Sequence, residues 1–245
     1  MAGQNVFCLT TGGPGAKIMP ETLRERNATG TMRIIDLTQL ISPDMPVYPG
    51  TEPPRLDPAN TSEENGFRET LLTLFSHTGT HMDAPAHLFP HRTTLDTFPA
   101  SQFVGSALVL DCTNLPEGGV IGMERIDAVR QLADRADFLL IRTGWDARWG
   151  TPAYFGDYPV ISPEVAAYLA ASGKKGIGLD VIGVDPIADE NLTLHKLLFA
   201  QHEIVVIENL CHLDQCGSGL FTFCVLPLKY ENADGAPIRA VALLE

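Results

Sequence analysis

Short apolar runs recur along the chain from position 33 onward, and their composition is typical of β-strands, many of them buried on both faces. They fall at residues 33–36, 69–75, 107–111, 138–141, 176–179, 204–207, 220–226 and 238–243. Helical patterns are fewer and fall at residues 124–135, 162–172 and 192–200. The helix at 162–172 is the clearest, because Ser162 is suited to cap its start, Pro163 to occupy its first position and Gly173 to end it.

Strands that outnumber helices predict an α/β domain built on a mixed β-sheet that curls partly closed, like a barrel, with flanking helices. We expect residues 32–245 to form this domain. Residues 1–31 are rich in Gly, Thr and Pro, with at most a short helix in 21–27. We expect them to form an N-terminal extension, either packed on a neighbouring subunit or left as a tail.

The charge balance narrows the class of partner. With 17 Lys and Arg against 30 Asp and Glu, the formal net charge is −13. This charge disfavours nucleic acid and anionic membranes, so a small-molecule substrate is the expected partner. No apolar run approaches the roughly 20 residues of a membrane span, no secretory signal is evident, and the 5 cysteines form no C-x-x-C pair. We expect a cytoplasmic protein with reduced thiols, assembled as a homodimer or homotetramer.

The most informative chemistry lies in one segment, which begins at His77 and ends at His87 and reads HTGTHMDAPAH. Glycine, β-branched threonines and proline make it a poor helix, so we expect an extended loop. In extended backbone His81 and Asp83 point the same way, and His77 can reach the same ion from the preceding turn. Two nitrogens and one oxygen leave coordination positions open, as a catalytic zinc or manganese site requires. The alternative is that these histidines are hydrogen-bonded loop residues.

The segment resembles the H-x-G-T-H-x-D-A-P-x-H signature of the cyclase-like metal-dependent hydrolases, a family that includes bacterial kynurenine formamidase and isatin hydrolase. Six further stretches agree with the family pattern in the same order, so the likeness runs from about Arg33 to the C-terminus. They are Asp36-Leu37-Thr38, Pro46-Val47-Tyr48-Pro49-Gly50, Arg142-Thr143-Gly144-Trp145, Gly178-Leu179-Asp180, Ile207-Glu208-Asn209-Leu210 and Leu226-Pro227-Leu228-Lys229. The resemblance implies the family's swivelling β/β/α fold.

The resemblance also implies roles for individual residues. His77, His81 and Asp83 would bind a first divalent metal, and Asp83 would bridge to a second. His195 and Glu208 would complete the second site, giving one or two ions per subunit. The interval between these two residues is one longer than in the formamidases, and His202 within it is a rival ligand.

The chemistry expected of such a site is hydrolysis of an amide or lactam C–N bond in a small aromatic substrate. A divalent ion supplies hydroxide at neutral pH and polarises the carbonyl. His87 would be the acid/base that protonates the leaving amine. Tyr48 and Trp145 could stack on a planar substrate, although simple packing explains each equally well. Two alternatives stay open: a metal-dependent cyclase or dehydratase acting on a polyketide-like substrate, and a noncatalytic ligand-binding protein of the same fold.

Overall fold

The computed structural model describes residues 32–245. The predicted N-terminal extension, residues 1–31, and the short helix expected within 21–27 lie outside the described residues. Within residues 32–245, no helix is both long enough and apolar enough to cross a membrane.

The described residues form twelve strands and five α-helices. The strands are β1 (Arg33–Asp36), β2 (Arg55–Asn60), β3 (Glu69–Thr73), β4 (His81–Asp83), β5 (Val104–Asp111), β6 (Val120–Ile121), β7 (Phe138–Arg142), β8 (Val160–Ile161), β9 (Gly176–Leu179), β10 (Val205–Glu208), β11 (Phe221–Pro227) and β12 (Gly235–Leu244). The helices are α1 (Ser62–Asn65), α2 (Met123–Asp127), α3 (Arg130–Ala133), α4 (Pro163–Ala171) and α5 (Thr193–Phe199).

Every predicted strand overlaps an observed one, and the predicted helices are present with one correction. The Ser162 hydroxyl accepts a hydrogen bond from the Val165 backbone N–H at 3.3 Å, which confirms the predicted cap of α4. The single helix expected at 124–135 is instead divided into α2 and α3. The break occurs because Val129 leaves the helical conformation, with φ −127° and ψ 23°.

Seven strands close into a barrel-like sheet in the order β12-β11-β5-β7-β9-β10-β4, and β4 returns to pair with β12. Strands β5, β7, β9 and β10 run parallel, and the remaining pairings are antiparallel. The long β12 makes closure possible because its start pairs with β4 and its end pairs with β1. This architecture confirms the mixed, partly closed sheet expected from the sequence.

Alternate residues of the strands supply two separate cores. Phe138 and Leu140 of β7 belong to a cluster inside the barrel, together with Phe223 of β11. Leu139 and Ile141, the intervening residues, belong to a second cluster outside the barrel, which includes the buried faces of α4 and α5. Burial on both faces explains why these strands read as nearly continuous apolar runs.

Strands β2 and β3 form a separate two-stranded hairpin whose side chains are largely exposed. Leu71 and Leu72 are each 58% exposed, and Phe75, at the base of the hairpin, is 53% exposed. An isolated two-stranded hairpin is only marginally stable, and these exposed apolar side chains are available for packing that would stabilise it. The homodimer or homotetramer expected from the sequence stays a prediction.

Candidate metal centre

Strand β4 places two of the predicted ligands on the outer face of the barrel. Its register on β10 sets His81 opposite Glu208 and Asp83 opposite Val206. Because successive side chains alternate between faces, Met82 enters the barrel interior. The two ligand candidates of β4 and the one at the end of β10 therefore project together from the outer face.

Helix α5 brings His195 to the same place. The His195 Nε2 atom lies 3.4 Å from Asp83 Oδ2 and 3.4 Å from Glu208 Oε1. The His81 Nε2 atom lies 3.3 Å from Asp83 Oδ1 and 3.4 Å from Glu208 Oε2. Donor atoms held about 2 Å from one ion in tetrahedral geometry are about 3.3 Å apart, so these separations suit ligands of a shared cation.

Three overlapping groups of residues could hold a metal ion. The first ligand set is His77, His81 and Asp83, and the second ligand set is Asp83, His195 and Glu208. The third group, His77, His87 and Asp234, shares only His77 with the first ligand set. Within each set the candidate ligand atoms all lie within 4.8 Å of one another. The structure thus brings together all five residues that the resemblance implied as ligands. Asp83 belongs to both sets, as a carboxylate that bridges two ions would.

Two acidic residues that the sequence analysis missed hold the outer nitrogens of two histidines. Asp234 Oδ2 lies 3.1 Å from His77 Nε2, and Asp185 Oδ2 lies 2.6 Å from His195 Nδ1. Carboxylates in this position orient metal-binding imidazoles and fix their tautomers. The only signals in the sequence are that Asp185 precedes a proline and Asp234 precedes a glycine. Neither signal points to a histidine, and Asp234 lies 157 positions from the one that it contacts.

The third histidine is held by backbone rather than by a carboxylate. The His81 Nδ1 atom lies 2.9 Å from the carbonyl oxygen of Gly79. Gly79 has a φ of +66°, a left-handed conformation that glycine adopts without strain. All three histidines therefore anchor one ring nitrogen to the protein and direct the other towards the ligand sets.

The two buried carboxylates create a strong demand for positive charge. Asp83 is 1% exposed and Glu208 is 5% exposed. Burial alone would lower the pKa of the imidazoles, yet nearby carboxylates raise the pKa of His77 to about 9 and that of His81 to about 10. They also raise the pKa of His195 well above its ordinary value, against the same effect of burial. A divalent cation satisfies this demand with the nitrogen and oxygen donors that zinc and manganese accept.

His87 lies beside the first and second ligand sets and belongs to neither of them. It ends a short 3₁₀ turn, Pro85–His87, that follows β4. Its ring centroid lies 4.1 Å from that of His77 and 6.2 Å from that of His195. Its Nδ1 atom lies 3.8 Å from Asp234 Oδ2, and its side chain is about a quarter exposed. Burial lowers the pKa of His87 below its ordinary value.

A cavity of about 660 Å³ opens over this centre. Both ligand sets and His87 line it, so an ion and a small molecule could share the same space. Tyr48 also lines the cavity and is 45% exposed, a position from which it can contact a bound molecule. Phe75, from the base of the β2–β3 hairpin, adds a second aromatic side chain to the wall.

Two sequence-based expectations require correction. Trp145 does not line the cavity: it is 4% exposed, packs edge-on against Tyr158, and donates its indole N–H to the carbonyl of Tyr154 at 2.9 Å. Burial of its large apolar ring in the outer core is energetically favourable and leaves the ring out of reach of a substrate in the cavity. His202, the rival ligand, belongs to neither ligand set among residues 32–245, because α5 directs His195 inward and ends before His202.

Comparisons with known proteins identify the family of the chain. Residues 35–186 match the family model described as "Putative cyclase". Kynurenine formamidase from Bacillus thuringiensis (strain Al Hakam) is 33% identical over 213 residues, which are 86% of this chain and 97% of that protein. The chain belongs to this cyclase family.

Solved structures show the same fold as this chain. Isatin hydrolase A from Labrenzia aggregata, bound to benzyl benzoate, is 25% identical with a TM-score of 0.77, and the match covers 87% of this chain and 94% of that chain. A predicted metal-dependent hydrolase from Bacillus stearothermophilus is 26% identical with a TM-score of 0.72, and the match covers 87% and 99%. The protein is therefore an enzyme, and the family that its sequence predicted is confirmed.

Asp83 and Glu208 should differ in their effect on metal content. Asp83→Ala should abolish tight metal binding, because both ligand sets contain Asp83. Glu208→Ala should remove only the second set and leave partial content. The metal-to-protein ratio after desalting, measured by mass spectrometry of the metal, checks this. Asp189→Ala, which changes a cavity acid outside both sets, is the control, and full metal content in Asp83→Ala would contradict the assignment.

Proposed function

We propose that this protein is a metal-dependent amidohydrolase that cleaves the C–N bond of a small aromatic amide or lactam. One observation carries the proposal: two ligand sets share Asp83, and His87 stands next to them on the wall of the same cavity. Open ligand sets beside a free imidazole suit addition of water to a carbonyl and protonation of the nitrogen that leaves.

In this proposal His77, His81 and Asp83 hold one ion, and Asp83, His195 and Glu208 hold a second where two are bound. Zinc or manganese suits these nitrogen and oxygen donors. When bound, such an ion supplies Lewis acidity, which polarises a carbonyl and lowers the pKa of water from about 16 to roughly 7.

The residues of the chain then perform the positioning and the proton transfers. Asp234 and Asp185 keep the imidazoles of His77 and His195 in fixed orientations. His87 is close to the centre, and burial lowers its pKa below that of an ordinary imidazole, so the neutral ring can accept a proton from attacking water. It can return that proton to the amide nitrogen, which is a poor leaving group until it is protonated.

The function is tested directly with formanilide, the formyl amide of aniline. The purified protein should release formate and aniline. A chelator that removes divalent ions should abolish the reaction until zinc or manganese is restored. In ¹⁸O-labelled water the formate should gain labelled oxygen, because water is the attacking group. Conversion of a polyketide-like substrate without uptake of ¹⁸O, together with inertness towards aromatic amides, would favour the cyclase or dehydratase reaction instead.

His87→Ala should bind metal like the natural protein and lose turnover by about 10²- to 10⁴-fold, the usual contribution of a positioned acid/base. Metal should be retained because His87 belongs to neither the first nor the second ligand set and groups only with His77 and Asp234. Metal analysis and steady-state kinetics on formanilide check the two parts separately. His91→Ala, which removes an exposed histidine of the following loop, is the matched control. Full activity in His87→Ala would exclude His87 from the reaction.

The charge of the cavity indicates which substrates it accepts. Asp189, Glu190 and Asp234 line it in addition to the ligands, and no lysine or arginine within residues 32–245 does so. The overall charge of −13 adds to this negative potential. We therefore propose that the substrate is uncharged or carries an amine, rather than a free carboxylate at the end remote from the amide.

A matched pair of substrates tests this preference. The protein should hydrolyse 4-formamidobenzamide with a higher kcat/KM than 4-formamidobenzoate, because the benzoate has nearly the same shape and adds a negative charge. One acid about 8 Å away at an effective dielectric constant of about 40 disfavours that charge by about 1 kcal/mol, or about fivefold.

Glu190→Gln should reduce the difference between the two substrates by about the same factor, because it removes one charge from the cavity. Glu63→Gln, in exposed α1, should leave the ratio unchanged. Equal or faster hydrolysis of the benzoate would refute the charge preference while leaving the amidohydrolase proposal intact.

A further inference from the structure

A buried chain of hydrogen bonds connects the outer core to the ligand His81. The Tyr154 hydroxyl donates to Asn209 Oδ1 at 2.6 Å, and Asn209 Nδ2 donates to the carbonyl oxygen of Gly79 at 2.8 Å. That same oxygen lies 2.9 Å from His81 Nδ1. Tyr154 belongs to a 3₁₀ turn, Pro152–Phe155, far along the chain from the loop that it reaches.

The chemistry of the groups fixes the direction of each bond. The carbonyl of Gly79 can only accept, so the Asn209 amide must turn its NH₂ group towards it. The amide oxygen then faces Tyr154, whose hydroxyl can donate. Because the carbonyl of Gly79 can only accept, its contact with His81 requires a ring proton on Nδ1, which leaves Nε2 as the nitrogen that can bind a cation beside the carboxylates of the ligand sets.

The surroundings hold Asn209 in this role. It follows β10 directly after Glu208 and has a φ of +59°, a left-handed conformation that asparagine tolerates better than most residues. Its own carbonyl accepts the Thr80 hydroxyl at 2.6 Å, and its backbone N–H donates to the carbonyl of Val181 at 2.9 Å. Tyr154 is fully buried and Asn209 is 4% exposed, so water cannot replace either side chain as a partner.

We propose that Tyr154 and Asn209 are positioning residues that hold the ligand His81, through the Gly79 carbonyl, with its Nε2 lone pair directed at the metal. This inference rests on the proposed metal-dependent function. Neither residue need touch the ion or the substrate. Their effect should therefore appear first in metal affinity and in the ligand field at the ion, whether or not a substrate is present.

Two nearly isosteric variants test the proposal. Tyr154→Phe removes only the hydroxyl, and Asn209→Asp keeps the size and the left-handed backbone but replaces the donor that faces Gly79 with an oxygen. Residues that orient metal ligands typically contribute about 10- to 100-fold in affinity. We expect Asn209→Asp to raise the zinc Kd by about that factor, and Tyr154→Phe, one bond further away, to raise it by about 3- to 10-fold. Tyr168→Phe, a change on α4 that removes a hydroxyl hydrogen bond to Asp134, is the control.

The measurements are the zinc Kd by competition with a chromophoric chelator and the visible spectrum of the cobalt-substituted protein. Both variants should raise the Kd and alter the cobalt bands, whereas Tyr168→Phe should change neither. Folded Tyr154→Phe and Asn209→Asp with the natural Kd and spectrum would overturn the proposal. If Tyr154→Phe does not fold, Asn209→Asp decides the test. Asn209→Gln is then a second variant, in which the amide donor is moved by one methylene group. If the natural protein binds no divalent metal, the proposed function fails rather than the positioning role alone.

Discussion

The centre depends on one constraint, the burial of two carboxylates on the same face of neighbouring strands, two positions apart in the register. Asp83 and Glu208 are nearly inaccessible to water, and like charges buried together are costly unless a cation lies between them. Three imidazoles surround the pair, and each is anchored by a different part of the fold. The protein thus holds a set of donors whose charge balance is completed by a cation, which explains why so much of the surrounding hydrogen bonding serves to orient rings.

The strand that closes the barrel, β4, also carries two of the candidate ligands. Strand β4 is only three residues long, yet it bonds to β10 on one side and β12 on the other. Gly235 of β12 lies opposite Asp83, and a Cβ there would lie 2.4 Å from the His77 ring. The ring of His77 occupies the space that a side chain at this position of β12 would need. A shift of β4 by one residue would turn its ligands into the barrel interior, so the apolar packing of Met82 also secures the ligand geometry.

Features with local causes could be predicted from the sequence, and features with distant causes could not. The alternation that puts His81 and Asp83 on one face is a property of extended backbone, and the cap at Ser162 is a property of four consecutive residues. The contact of Asp234 with His77 instead requires the pairing of β12 with β4, which no local pattern specifies. The predicted substrate contact of Trp145 is wrong for a related reason. A motif places a residue along the chain but does not determine whether its side chain faces a cavity or the core.

The outer core takes part in the chemistry more than its distance from the substrate suggests. Its helices and 3₁₀ turns bury Tyr154, and α5 from the same core carries His195. Cores are close-packed, so a change in the packing of this layer is transmitted to the hydroxyl and imidazole groups that it positions. The barrel interior, by contrast, contacts the centre through the backs of the strands that carry or adjoin it, β4, β10 and β12. Substitutions of similar volume should therefore be better tolerated functionally inside the barrel than in the outer layer, although both cores stabilise the same sheet.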